Sequence, residues 1–255
     1  MSAELVRTER RGNVLVITLN RPAVRNAVDL PTALALEKCV DDFEADQSLR
    51  SAVLTGGEQF FCAGVDLKAA ASGERPRTAR RGWFGFIEHP PGKPVIAAVE
   101  GPALAGGCEL ALACDLIVAS EASTFGLPEV TRGLIASAGG LIRLPRRIPR
   151  AVAAEIALTG DALPAQRLYA LGLINRLCAP QTVLAQALLL AERIAQNAPV
   201  SVAATKRILS LTEALPEARA WSEQQPEIDR VRASEDYGEG LAAFREKRPP
   251  RWQGR

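Results

Sequence analysis

Short β-branched apolar runs, each closed by glycine or proline, recur along the chain between stretches of helical spacing, and this alternation constrains the fold more than any other feature. Val14-Leu15-Val16-Ile17-Thr18-Leu19-Asn20 ends at Arg21-Pro22 and predicts a buried strand. Ser51–Thr55 stops at Gly56-Gly57, Val95–Val99 stops at Gly101-Pro102, and Leu116–Ala119 supplies a fourth run. After the first of these, Asp29 is placed to cap a helix with Pro31 in its first turn, and Leu34, Leu36, Val40 and Phe43 give that helix an apolar face. Strands alternating with helices predict an α/β architecture rather than a sandwich. From Ala151 onward the composition turns to Ala, Leu, Arg, Glu and Gln, with breaks at Gly160, Gly172, Pro180, Pro199 and Pro216, which predicts an all-helical remainder. A helix over about 183–197 is too apolar along Val183, Leu184, Ala187, Leu188 and Ala191 to be solvated all round, so it packs on the core or on another subunit.

Composition removes several kinds of chemistry. The 255 residues contain one histidine, His89, followed by two prolines, so a two-histidine zinc helix is impossible and a Ser-His-Asp triad has only a loop position to draw on. Lys and Arg number 31 against 29 Asp and Glu, a net charge of +2 that gives no general basis for nucleic-acid binding. Two stretches are locally basic, Arg75-Arg77-Arg80-Arg81 and Arg143-Arg146-Arg147-Arg150, and read either as solvated faces or as an anion-facing rim. Five cysteines, at 39, 62, 108, 114 and 178, form no CxxC pair and are odd in number, which reads as free thiols in a reducing compartment. Met1–Arg11 carries charges without an apolar leader core, and no run reaches the length of a membrane span; the expectation is a cytoplasmic protein without membrane contact.

Three segments carry the chemistry. Phe60-Phe61-Cys62-Ala63-Gly64-Val65-Asp66-Leu67 is a small-residue turn after a strand and before a helix. Gly101 to Leu112 contains a glycine pair, Gly106-Gly107, that opens a helix carrying Glu109 in its first turn. Such a helix start offers unpaired N–H groups and the positive end of the macrodipole to a developing anion. Phe125-Gly126-Leu127-Pro128-Glu129-Val130 places a second glutamate after a further strand, so that Glu109 and Glu129 can return to one place as an acid/base pair.

Together with Asn20-Arg21-Pro22, Arg25-Asn26-Ala27, Ala138-Gly139-Gly140, Arg143-Leu144 and Ala243-Phe244-Arg245-Glu246-Lys247-Arg248, these segments resemble the crotonase superfamily, the enoyl-CoA hydratase and isomerase family, from Val14 to about Trp252. The resemblance implies a crotonase-like fold: a spiral of repeated β-β-α turns over residues 1–198 holding the CoA and catalytic site, and a helical region over 199–255 for assembly. It implies that the backbone N–H groups of Val65 and Gly106 polarise an acyl-CoA thioester. Members with two glutamates hydrate an enoyl thioester, and both match here as Glu109, chiefly activating the water, and Glu129, supplying the α-proton. It further implies CoA and substrate contacts from Ala23, Arg25, Ala27, Ala63, Asp66, Leu67, Gly107 and Lys247, the last in many members reaching a neighbouring subunit. The aromatic segment 81–87, with Trp83 and Phe84, is expected to wall the acyl pocket, Trp83 touching substrate. Ala136-Ser137 stands where the common hydratase loop has Pro-Gly, and Ser137 adds a hydroxyl there. The implied protein is a trimer or hexamer that needs no cofactor beyond the CoA of its substrate and no metal. A carnitinyl-type or other 3-hydroxyacyl-CoA dehydratase, an enoyl-CoA isomerase and a non-catalytic acyl-CoA-binding protein stay open beside the hydratase.

Overall fold

The computed structural model describes residues 4–255, so Met1–Ala3, the start of the segment read for a leader, lie outside the described residues. The first strand run folds as β2 (Val14–Leu19), paired antiparallel with β1 (Val6–Arg11). Sequence reading missed β1, because five of its six residues face solvent and leave no apolar alternation to detect. Helix α1 (Leu30–Ala45) starts where expected: the Asp29 carboxylate accepts the Thr32 N–H at 2.9 Å. Its buried face is Ala33, Leu36, Val40 and Phe43; Leu34, expected inside, is exposed because Ala33 occupies the inward position of that turn.

Each later turn of chain repeats one pattern. β3 (Ser51–Thr55) leads to α2 (Leu67–Ala71), followed by a small hairpin of β4 (Arg77–Thr78) and β5 (Gly82–Trp83). β6 (Val95–Val99) leads through β7 (Pro102–Leu104) to α3 (Gly106–Ala113). β8 (Leu116–Ser120), one residue longer than the sequence predicts, leads through β9 (Thr124–Gly126) and a 3-10 turn, Pro128–Arg132, to α4 (Gly140–Arg147). Helix α5 (Arg150–Thr159), β10 (Leu163–Pro164), α6 (Ala165–Ala170) and β11 (Arg176–Cys178) follow. The expected all-helical remainder is thus corrected at β10 and β11. These strands are two and three residues long, too short for periodicity to reveal, and exist because β9 and β8 offer them edges.

The main sheet has the order β1-β2-β3-β6-β8-β11, parallel except for β1, and a second sheet has the order β10-β9-β7. In the first two turns the second layer shrinks to single-residue bridges, Val28 with Val65 and Cys62 with Ala103. The chain therefore climbs as a spiral of β-β-α turns, with structural repeats that its sequence does not display.

A parallel sheet must be covered on both faces. On one face Val14, Val16, Val53, Ile96, Ala98 and Val118 pack beneath α7 (Val183–Ala195), which buries Val183, Ala187, Leu188 and Ala191. The apolar helix foreseen at 183–197 thus covers the sheet of its own chain, with Leu184 left half-exposed. On the other face Leu15, Ile17, Leu54, Ala97, Val99 and Ile117 join α1 and α3 in the larger core, where each fully buried aliphatic side chain contributes about 1.5–3 kcal/mol. Four helices complete the chain: α8 (Pro199–Ala214), α9 (Glu217–Glu223), α10 (Gln225–Arg232) and α11 (Glu235–Glu246). No helix of the described residues is long and apolar enough to cross a membrane.

Candidate active site

The second-layer bridges place the site. The segment 63–66 runs beside 25–28: Ala63 N–H donates to Arg25 O at 3.0 Å, Val28 N–H to Gly64 O at 2.8 Å, and Asp66 N–H to Val28 O at 2.9 Å. The Gly64–Val65 peptide is trans, so pinning its carbonyl to Val28 turns the Val65 N–H the opposite way, where it meets no acceptor among the described residues. Gly106 is the first residue of α3, and its N–H has no intrahelical partner. The preceding carbonyl, of Ala105, accepts the Glu109 N–H at 3.1 Å, and Ala105 adopts φ 51 and ψ −127 to aim this helix start.

Two glycines let the donors share one spot. A Cβ on Gly64 would stand 2.9 Å from Gly106 N, and one on Gly106 would stand 2.5 Å from the Phe84 ring. Val65 and Gly106 both line a cavity of about 950 Å³, as do Arg25, Ala27, Ala63, Asp66, Leu67, Trp83, Glu109, Glu129 and Ser137. A shallower hollow of about 680 Å³ lies beside α11, but its charged groups Arg248 and Glu239 already pair with each other at 2.6 Å.

Glu109 is 3% exposed, and its Oε1 accepts the N–H groups of Ala138 and Gly140, each at 2.8 Å. Burial pushes its pKa from 4.5 up to about 7, against the pull of the Gly140 and Ala138 donors, and the neighbouring Glu129 charge pushes it the same way. Glu129, on the 3-10 turn, is also raised by burial, partly offset by the Arg132 charge. Its buried Oε2 has no hydrogen-bond partner among the described residues, which leaves an acceptor or, when protonated, a donor at the cavity wall. Two carboxyls whose proton affinity burial raises, lining one cavity with two free N–H donors, can pass a proton while an anion is stabilised beside them.

Three sequence assignments do not reach the cavity. Ala23 projects to solvent from the Pro22–Val24 turn, and its neighbour Val24 lines the cavity instead. Gly107 serves packing: a Cβ there would stand 2.0 Å from Cys62 O, so its absence lets α3 sit on that strand. Lys247 ends α11 with φ 54, exposed and away from the cavity of its own chain. Of the basic stretches Arg75, Arg77, Arg80, Arg146 and Arg150 are exposed, and Arg81, Arg143 and Arg147 turn inward. Arg77 pairs with Glu88 at 2.7 Å, Arg80 and Arg81 pair with Asp41 at 2.8 and 2.7 Å, and Arg143 donates to Ile87 O at 2.7 Å. Only Arg75 of these stretches lines the cavity. From the aromatic segment 81–87, Trp83 and Phe84 line the cavity; sequence reading missed Leu134 and Ile135 as lining residues and the Ala138 and Gly140 amides as braces. The Gly139-Gly140 pair opening α4, like Gly106-Gly107 opening α3, was the available signal.

A sequence profile described as enoyl-CoA hydratase/isomerase matches residues 9–255. The chain belongs to the enoyl-CoA hydratase/isomerase family. Its fold is the crotonase fold: superposed on the crystal structure of an enoyl-CoA hydratase from Mycobacterium tuberculosis H37Rv it gives a TM-score of 0.96 at 51% identity, over 99% of this chain and 100% of that one. The structure of a carnitinyl-CoA hydratase from Mycobacterium avium superposes with a TM-score of 0.80 at 44% identity, covering both chains in full (100% each). A carnitinyl-CoA dehydratase of Proteus mirabilis (strain HI4320) is 43% identical over 253 residues, 96% of this chain and 97% of that protein.

Proposed function

We propose that the enzyme is a hydro-lyase adding water across the 2,3 double bond of a 2-enoyl-CoA to give a 3-hydroxyacyl-CoA. The observation that carries this reading is the convergence of Glu109 and Glu129 on the same cavity as the unpaired N–H groups of Val65 and Gly106. The thioester oxygen accepts both N–H groups, and its carbonyl is polarised; loss of one such donor typically costs about 3–4 kcal/mol of transition-state stabilisation. Glu109 takes a proton from the water as its oxygen attacks C3, the electron pair of the double bond moves toward the thioester, and Glu129 delivers a proton to C2. Acid/base assistance of this kind contributes roughly 10² to 10⁴ in rate. The CoA portion runs past Arg25, whose guanidinium stands 5.7 Å over the Phe60 ring, and past Ala27, Ala63, Asp66 and Leu67. The chemistry needs no cofactor beyond the substrate's CoA.

A second reading is dehydration of a carnitinyl-type 3-hydroxyacyl-CoA, favoured by the identity to proteins so named. The charged lining is balanced, with Arg25, Lys68, Arg75 and Arg132 against Asp66, Glu74, Glu109 and Glu129, so it bars neither acyl group, and a direct comparison of the two substrates chooses between the readings. We also propose assembly as a trimer or hexamer through the region 199–255, which supports it with exposed Leu209, Trp221, Leu241 and Phe244. Sedimentation of the full chain measures that state.

The function is tested by loss of the ultraviolet absorbance of the conjugated enoyl thioester, with crotonyl-CoA, a longer 2-enoyl-CoA and the trimethylammonium-bearing enoyl-CoA compared side by side. Rapid loss with the uncharged substrates, reduced about 10² to 10⁴-fold in Glu129→Gln and in Glu109→Gln with CoA affinity retained, is the expected result. Preference for the trimethylammonium substrate reverses the choice between the two readings, and normal turnover in either variant removes that glutamate from the mechanism.

A further inference from the structure

Arg21 lies outside the cavity, yet it grips the cavity's edge at three points. Its Nη2 stands 2.9 Å from Asp29 Oδ2 and 3.1 Å from Asp66 Oδ2, and its Nη1 donates to the Ala27 carbonyl. All three side chains are largely buried, at 17%, 17% and 14% side-chain exposure. Val28, whose N–H pins the Gly64 carbonyl and whose carbonyl accepts the Asp66 N–H, sits between two of the gripped residues. Val65 sits beside the third.

We propose that Arg21 is a positioning residue for the Val65 amide, holding the thioester-binding donor in line without touching substrate. The inference rests on the assignment of Val65 as that donor. The Val65 N–H direction is fixed by the peptide plane it shares with the Gly64 carbonyl, and that carbonyl is fixed by Val28. Arg21 in turn fixes the residues on either side of Val28. Asp66 divides its carboxylate between two tasks: Oδ2 meets Arg21, and Oδ1 caps α2 by accepting the N–H groups of Lys68 at 3.1 Å and Ala69 at 3.4 Å. Without Arg21, the Asp29 and Asp66 carboxylates confront each other across one vacated point in a partly dry setting, and the Ala27 carbonyl loses its donor. The two strands of the 25–28 and 63–66 pair then slide apart, and the peptide plane tilts. A displacement near 1 Å of a preorganised donor lowers turnover about a hundredfold.

The test compares the full-length wild-type enzyme with Arg21→Ala, Arg21→Lys and the double variant Arg21→Ala/Asp66→Asn. Two readouts are taken: kcat and KM for crotonyl-CoA, and the isotope-edited infrared carbonyl band of bound [1-¹³C]butyryl-CoA, a saturated thioester that cannot be hydrated. Expected are a kcat about a hundredfold lower in Arg21→Ala with KM within about threefold, and a carbonyl band returned toward its position in free butyryl-CoA. Arg21→Lys keeps a cation between the carboxylates and is expected to lose about tenfold, so it decides the matter if Arg21→Ala does not fold. Asp66→Asn in the Arg21→Ala background keeps the helix cap, removes one repelling charge and is expected to restore part of the band shift. A folded Arg21 variant with unchanged kcat, a retained band shift, or a loss confined to KM overturns the proposal. A wild-type enzyme that shifts the band but hydrates no enoyl-CoA overturns the hydratase reading alone.

Discussion

The two carboxylates of the site stand on walls of opposite construction. Glu109 belongs to α3, all eight of whose residues are buried. Glu129 belongs to a 3-10 turn with no buried residue, continued by exposed Val130, Leu134 and Ile135. The first carboxyl has one oxygen braced by two amides, while the second has a buried oxygen with no partner among the described residues. The contrast assigns the work: the α3 wall sets position and proton affinity in advance, and the 3-10 wall leaves a bonding capacity for what enters the cavity.

Substitutions break or sharpen that contrast, and the largest effect falls on the α3 wall. Gly107→Ala puts a methyl 2.0 Å from a backbone carbonyl that cannot swing aside, and is expected to cost at least about 3 kcal/mol in urea unfolding. On the other wall Gly133→Ala meets open space at φ 67, and only about 1 kcal/mol is expected from its backbone conformation. Equal costs would erase the distinction.

The second test uses protons. The Glu109 pKa is raised from 4.5 to about 7 in the folded state, so the folded state binds the extra proton between those values and stability falls as pH rises through them. Full ionisation then costs up to about 3 kcal/mol. Glu109→Gln is expected to match wild type in stability near pH 4 and to exceed it progressively by pH 8, as followed by denaturation across that range. A stability gap independent of pH would place Glu109 in a wetter setting than its burial implies. The smallest effect is expected at Ile135→Ala, within about 0.5 kcal/mol of wild-type stability because the side chain is 69% exposed. The same change is expected to raise KM for a longer 2-enoyl-CoA about tenfold while sparing crotonyl-CoA, since Ile135 lines the cavity.

The sequence made the main strands legible because each is a complete β-branched run with a glycine or proline stop; β3 and β6 span the residues read from those runs. The Asp29 cap and the glycine-opened α3 were equally plain, since capping and helix starts are local chemistry. Second-layer pairing was hidden. β7, β9 and β10 have two or three residues each, and two of the turns pair through a single residue. The site divides the same way. Glu109, Glu129, Val65 and Gly106, picked out through motif and resemblance, line one cavity, whereas the bracing amides of Ala138 and Gly140 carry no side-chain signature. Ala23 and Gly107, assigned through the resemblance, do not line the cavity, because motif membership says nothing of which way a turn projects, and α11 ends with Lys247 away from its own cavity. The arginine runs were ambiguous for another reason: their partners, such as Asp41 and Glu88, come from distant or separate segments.

The bridge between Val28 and Val65 makes position 65 a matter of counting. Its amide is aimed by the number of residues separating Ala63 from Asp66, not by the valine side chain. A library of single substitutions would therefore score residue 65 as tolerant and pass over the amide proposed above as a thioester donor. A library of single-residue insertions and deletions would find Ala63–Asp66 among the least forgiving stretches of the gene, since one codon more or fewer turns the donor toward the core.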